Sequence, residues 1–155
     1  MIIKLPYRGR QTGKTTELAK KAVNAALSKP NMQIAFVGEN YKETYRHVGP
    51  IIEQLLKQRS IAFQKNMFGS YFELYSGSSI GITDFYSHMD FRGCAYDYIF
   101  IDLLDLENVS NEVQESTNYI INNLIYPSVI TKNGTVTVFN FKNNADIIKN
   151  RLGIK

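Results

Sequence analysis

Arg8-Gly9-Arg10-Gln11-Thr12-Gly13-Lys14-Thr15-Thr16 decides how the rest of this sequence is read. A short apolar run, Ile2-Ile3-Lys4-Leu5, precedes it, and a helix-compatible run from Thr16 to Leu27 comes after it. Strand, glycine-containing loop, Gly-Lys-Thr and helix together are the context of a phosphate-binding loop. In such a loop the backbone N–H groups of Gly9 through Thr16 converge on one point, and the helix dipole adds positive potential there. Gly13 lets the backbone approach phosphate oxygens with no Cβ in the way. Lys14 supplies a point charge for the β- and γ-phosphates, and Thr15 a hydroxyl for Mg²⁺. The standard pattern G-x-x-x-x-G-K-[ST] wants glycine where this chain has Arg8, and Gly9 comes one residue late. The competing reading is a basic surface turn before a helix.

Working outward, the strand Ile2–Pro6 reads as short and buried. The helix after the loop carries Leu18, Ala19, Ala22, Val23, Ala25, Ala26 and Leu27 on a mostly apolar face. Ser28-Lys29-Pro30-Asn31 stops it. Gln33–Val37 is a near-continuous apolar strand, the character of a parallel strand covered on both faces. A helix runs from Tyr41 to Gln58, with Tyr45, Val48, Ile52, Leu55 and Leu56 at helical spacing and a kink or break expected at Gly49-Pro50. Ile61–Phe63 reads as a strand. Asn66–Thr83 reads as a hairpin turning at Ser76-Gly77-Ser78-Ser79. Tyr98–Asp102 is the most hydrophobic strand and ends in a carboxylate. Asn111–Leu124 reads as a helix with Val113, Tyr119, Ile120 and Leu124 on one side. Thr135–Val136–Thr137–Val138–Phe139 is a last strand, and Ala145–Leu152 a terminal helix. Strands alternating with helices predict an α/β fold with a largely parallel sheet.

Composition is that of an ordinary soluble globular protein, 44% apolar and 21% charged over 155 residues, and one domain spanning 1–155 is expected. No apolar run approaches membrane-spanning length, so no membrane partner is expected. Met1 leads straight into the first strand, and the lone Cys94 excludes a disulfide framework. Both fit a reducing cytoplasm, the host's if the chain is viral. Net charge is +4, with basic residues crowding both ends, which suits a polyanion such as nucleotide or DNA.

A phosphate loop needs an acid that holds magnesium, normally at the C-terminal end of a buried strand next to the loop strand. Asp102 is the candidate, because ligands of open α/β sheets bind beyond the carboxyl ends of the strands. Taken alone it is equally an acid in a strand-end turn. Hydrolysis also needs a group to orient or deprotonate water. Many ATPases place Glu directly after that Asp; here the position is Leu103. Asp105 and Glu107 lie just beyond, each readable as the water-orienting group or as a solvated loop carboxylate. Asn140 stands at the tip of the last strand, as a γ-phosphate or water sensor or as a turn residue. Arg10 reads as a cis arginine finger or as an arginine held by a neighbouring acid. Arg92 reads as a contact to phosphate, DNA or a neighbouring subunit, or as a plain surface arginine. His47 and His88 have no partner at metal-ligand spacing.

With these residues in view, the chain resembles the ATPase domain of bacteriophage terminase large subunits, the motors that package viral DNA. Arg10-Gln11-Thr12-Gly13-Lys14-Thr15 looks like that family's Arg-Gln-x-Gly-Lys-Thr variant of the Walker A loop. Phe72–Ile80 is similar to its strand–Gly-Ser–strand segment. Phe91-Arg92-Gly93, then Asp97 and Tyr98–Asp102, is similar to its Arg-Gly element leading into the magnesium strand. Tyr126-Pro127 and Gly134–Asn140 resemble the stretch leading to its coupling motif. The resemblance implies a three-layer P-loop NTPase of the RecA/ASCE-like type, with helices flanking the sheet. It implies ATP and Mg²⁺ as ligands, hydrolysis coupled to double-stranded DNA translocation, and a homo-oligomeric ring on a portal or other packaging proteins. Lys14 and Thr15 then bind phosphate and magnesium, Arg10 matches the finger and Asp102 the magnesium acid. The chain departs from the family at Leu103 and Asn140. It leaves no room for the family's nuclease domain, which reads as a minimal packaging ATPase, a piece of a split motor whose nuclease is a separate subunit, or a degenerate relative. Two other readings stand beside this one: a small nucleoside or nucleotide kinase, and a non-hydrolysing nucleotide-binding assembly factor.

Overall fold

The computed structural model of the chain describes residues 1–9, 11–91, 94–142 and 152–153, without the side chains of 88–90. Its centre is a seven-stranded sheet in the order β1-β7-β6-β2-β5-β4-β3. The strands are β1 (Ile2–Leu5), β2 (Gln33–Gly38), β3 (Phe63–Lys65), β4 (Tyr71–Leu74), β5 (Ser79–Asp84), β6 (Tyr98–Ile101) and β7 (Thr135–Phe139). From β1 through β5 every pairing in that order is parallel; β4 and β3 are added antiparallel. The parallel strands are the apolar ones. Ile34, Ala35, Phe36 and Val37 are all buried, as are Ile99, Phe100 and Ile101. Side chains on both faces of such strands need cover, and crossover helices supply it.

Helix α1 (Lys14–Ser28) and helix α2 (Tyr41–Gln58) lie against each other and against the sheet. α1 buries Leu18, Ala19, Ala22, Val23 and Ala26, the stripe its period predicts. α2 is capped by Asn40, whose side chain accepts from Glu43 N at 3.1 Å. It is one helix through Gly49-Pro50, so of the expected kink or break the break into two helices is corrected. Pro50 stands on the exposed side, where water can take up the carbonyl its ring leaves unbonded. Gly49 faces the other way, and a Cβ there would stand 2.6 Å from the Gly69 carbonyl oxygen.

Three further expectations are corrected. β1 is an edge strand, paired with β7, with Ile3 and Lys4 exposed, and is not a buried one. The strand expected at Ile61–Phe63 begins only at Phe63. Ser60 takes a left-handed φ of 55° and Ile61 N donates back to Leu56 O, so Ile61 finishes α2 instead. The helix from Asn111 buries a different face from the one read off its sequence. α3 (Asn111–Ile120) passes into a π-helical turn, Ile121–Ile125, before a short α4 (Pro127–Ile130). Thr117, Ile121 and Ile125 are buried while Val113 and Tyr119 face solvent. The expected terminal helix Ala145–Leu152 lies outside the described residues, apart from Leu152.

Candidate functional site

The loop between β1 and α1 wraps the N-terminus of α1. Gly13 caps that helix with φ 78° and ψ 15°, and Gln11 has φ 57°. Two left-handed residues so close together turn successive N–H groups to one side, the geometry of an anion-binding nest. At Gly13 a side chain would be strained by the backbone angle alone.

Arg8 occupies the position where the standard loop has glycine, and its role is structural. Its guanidinium donates to the Thr12 carbonyl and to the Glu17 carboxylate, and it lies over the Phe139 ring at 5.9 Å. It straps the start of the loop to its end and to the first turn of α1. Thr12 Oγ1 adds a bond to the Gly9 carbonyl at 2.7 Å.

Lys14 is buried, and its Nζ donates to the carbonyls of Leu103 at 2.9 Å and Leu104 at 3.3 Å. Thr15 Oγ1 donates to Asp102 Oδ2 at 2.6 Å. The sheet order explains how these meet. β7 stands between β1 and β6, so the acid's strand is not the neighbour of the loop strand as expected but one strand further in. α1 packs against β2 and β6 and brings Thr15 to the tip of β6. Asn140, at the tip of β7, therefore lies between loop strand and acid strand; its backbone N donates to Leu5 O at 2.8 Å and its side chain is exposed.

Asp102 is 4% exposed, and its Oδ1 has no hydrogen-bond partner among the described residues. Burial pushes its carboxyl above the usual carboxylate range, against the downward pull of the Thr15 bond and the Lys14 charge. An orphaned, buried carboxylate oxygen beside a threonine hydroxyl is a pair of hard oxygen donors, and both fit a magnesium ion. Among the described residues there is no cluster of three or more His, Cys, Asp or Glu suited to hold a metal by protein ligands alone. Magnesium characteristically takes few protein ligands and completes its shell with water and substrate phosphates.

The two carboxylates beyond Asp102 point to different partners. Glu107 accepts from the Tyr7 hydroxyl, and a Cβ on Gly9 would stand 2.9 Å from its Oε1, so it abuts the loop from the β1 side. Burial and that bond to Glu107 push the Tyr7 hydroxyl up to about 12. Asp105 Oδ1 accepts from Glu107 N at 3.2 Å, closing its own turn. Arg10 and Arg92 lie outside the described residues, as does the side chain of His88.

Glu39 was missed in the sequence, where Gly38-Glu39-Asn40 reads only as a turn. It follows β2, the strand beside β6, and Asp102 N donates to Val37 O at 2.7 Å. Its Oε1 accepts from Leu104 N at 2.8 Å and Asp105 N at 3.4 Å. The available signal was its place: a carboxylate just past a second buried parallel strand. A cleft of about 390 Å³ is lined by Gln11, Gly13, Lys14, Thr15, His47 and Leu104. A second, of about 200 Å³, is lined by Glu39, Asn40, Thr44, His47, Asp102 and Leu104. His47 and Leu104 are common to both, so the clefts adjoin.

No protein-family model matches the sequence, and no curated protein matches it. Solved structures do match. The large terminase ATPase domain of Thermus phage P74-26 superposes with a TM-score of 0.64 at 13% identity, over 92% of this chain and 59% of that one. The large terminase of another thermophilic bacteriophage superposes with a TM-score of 0.64 at 15% identity, over 88% of this chain and 33% of its own. That second terminase in complex with ADP matches with a TM-score of 0.55. The chain thus spans under two thirds of the length of these proteins. Its fold is that of the phage large terminase ATPase domain: a mostly parallel seven-stranded sheet flanked by helices. Among the described residues no helix is long and apolar enough to cross a membrane.

Proposed function

We propose that this chain binds ATP with Mg²⁺ and hydrolyses it to drive double-stranded DNA translocation, as a packaging-motor ATPase. The observation that carries the reading is the 2.6 Å bond from Thr15 to Asp102, with Asp102 Oδ1 buried and unpartnered beside it. Loop threonine and loop lysine line the cleft in front of the α1 N-terminus, and the strand-end acid lines the cleft that adjoins it. The fold's likeness to terminase ATPase domains, one of them solved with ADP, supports the choice of nucleotide.

In this reading the loop N–H groups and Lys14 bind the β- and γ-phosphates. Thr15 Oγ1 and Asp102 hold the magnesium ion, which neutralises phosphate charge when bound. Asn140 senses the γ-phosphate from the tip of β7, and Arg10 acts as the cis finger. The working partners are double-stranded DNA and further copies of the chain in a ring on a portal. A second reading, nucleotide binding without turnover, draws on Leu103, which stands where many ATPases carry Glu.

Steady-state ATP turnover, measured with and without double-stranded DNA over a salt series, tests the proposal. DNA should stimulate turnover, and the stimulation should fade as salt rises, because phosphate contacts release counterions. ATP binding without turnover in either condition would favour the second reading.

A further inference from the structure

We propose that Glu39 is the carboxylate that holds and deprotonates the attacking water. The inference rests on the hydrolysis reading above and assigns the role that Leu103 vacates. Three features of the geometry carry it. Glu39 is the first residue past β2 and Asp102 the first past β6, and the register of the two strands sets them within one residue of each other. It lines a cleft of about 200 Å³ together with Asp102, and that cleft adjoins the one lined by Lys14 and Thr15. The space is ample for a water, whose share of liquid volume is about 30 Å³.

The third feature is how the carboxylate is held. Oε1 is committed to Leu104 N and Asp105 N, and Leu104 O in turn accepts from Lys14 Nζ. Among the described residues no donor reaches Oε2. One oxygen thus fixes the group's position relative to the phosphate lysine, and the other is left to accept a bond from water. The strand end is fixed as well. A Cβ on Gly38 would stand 2.0 Å from Thr44 Oγ1, so α2 is packed close against the turn that carries Glu39. Glu107 is engaged by Tyr7, and Asp105 by the Glu107 amide.

In the step itself, a lone pair on the water oxygen attacks the γ-phosphorus. The bond from that phosphorus to the β–γ bridging oxygen breaks, and ADP leaves with the bonding pair. Glu39 takes the water proton, inorganic phosphate forms, and Glu39 releases the proton to solvent.

The test is Glu39→Gln. The amide keeps an oxygen for Leu104 N and Asp105 N but loses the basicity. Turnover should fall by about 100-fold or more, the lower range for removing a general base. Affinity for a fluorescent ATP analogue, read by anisotropy, should stay within about threefold of wild type, since the phosphate contacts are untouched. Acid quench of the loaded variant should recover ATP, where wild type yields ADP. Glu39→Ala should lose turnover and also weaken binding, because the loop holding Lys14 loses its anchor. Turnover in Glu39→Gln within threefold of a turning-over wild type would overturn the assignment and leave the hydrolysis reading intact. A tenfold loss of analogue affinity in Glu39→Gln would also overturn it, making Glu39 a positioning residue for Lys14. A wild type that binds the analogue and never hydrolyses ATP would overturn both.

Discussion

Thr15 Oγ1 and Asp102 Oδ2 are 2.6 Å apart although 87 residues separate them in the chain. That bond joins the first turn of α1 to the tip of β6, and it uses only one of the two buried carboxylate oxygens. The other oxygen is a local cost in the absence of a cation, because a buried charge with an unsatisfied acceptor is destabilising.

Asp102→Asn should therefore stabilise the nucleotide-free protein. The expected gain is about 1–2 kcal/mol, which for a chain of this size raises Tm by about 2–8 °C. The sign follows from the direction of the shift. A carboxyl whose folded pKa is raised contributes stability below its unfolded pKa, and that contribution is lost as pH rises through the folded value. The ionised aspartate carries the penalty of a buried charge with an unpaired oxygen, and asparagine has no charge to bury. The same variant should lose the extra Tm that ATP with Mg²⁺ confers over ATP with EDTA. Thermal melts in the two buffers check both halves, and a lower Tm for the nucleotide-free variant would contradict the first.

Lys14→Ala should abolish nucleotide binding at micromolar protein. Removing a buried cation facing phosphate costs about 2–4 kcal/mol, or roughly 30–1,000-fold in affinity. It also leaves the Leu103 and Leu104 carbonyls without their lysine donor, so Tm should drop too. Titration with a fluorescent ATP analogue measures the first effect. Retained affinity would exclude Lys14 from the phosphate site.

The strap made by Arg8 predicts a substitution asymmetry. Arg8→Ala should weaken analogue binding several-fold and destabilise modestly, by about 1 kcal/mol given the pair's partial exposure. Arg8→Lys should recover little, since one ammonium cannot serve the Thr12 carbonyl, the Glu17 carboxylate and the Phe139 ring as a planar guanidinium does. A double-mutant cycle with Glu17→Gln measures the coupling. Full rescue by lysine would show that charge alone matters there.

Tyr7 should ionise well above the usual tyrosine range. Spectrophotometric titration should contain one component near pH 12, absent in Tyr7→Phe and moved towards 10 in Glu107→Gln. With the folded pKa raised, the contribution to stability is complete below pH 10 and disappears as pH rises through about 12. A titration with every tyrosine ionising near 10 would mean that the Tyr7–Glu107 bond is not formed.

Much of this site is legible in the residues. Gly13-Lys14-Thr15 sits between a short apolar run and a helical one, and only a phosphate loop joins those three features economically. The strand from Tyr98 to Asp102 announces itself by hydrophobicity and its terminal acid. Periodicity works wherever one element keeps one repeat, as α1 does from Leu18 to Ala26. It misleads in α3, where Val113 and Tyr119 face solvent while Thr117 and, beyond it, Ile121 and Ile125 are buried. It is silent on Arg8, whose three contacts come from the loop, from α1 and from β7.

The sequence by itself determined the α/β class, the glycine-bearing loop between β1 and α1, and the strand that ends at Asp102, because each is written in contiguous residues. Only the tertiary structure decided that β7 stands between the loop strand and the acid strand. Only it brought Glu39 beside Asp102, and turned Glu107 to Tyr7. The physical reason is that strands of a parallel sheet pair across crossover connections, so sheet neighbours such as β1 and β7, or β2 and β6, lie far apart in the chain. Side chains at the strand tips become neighbours only through that order, and no local pattern records it.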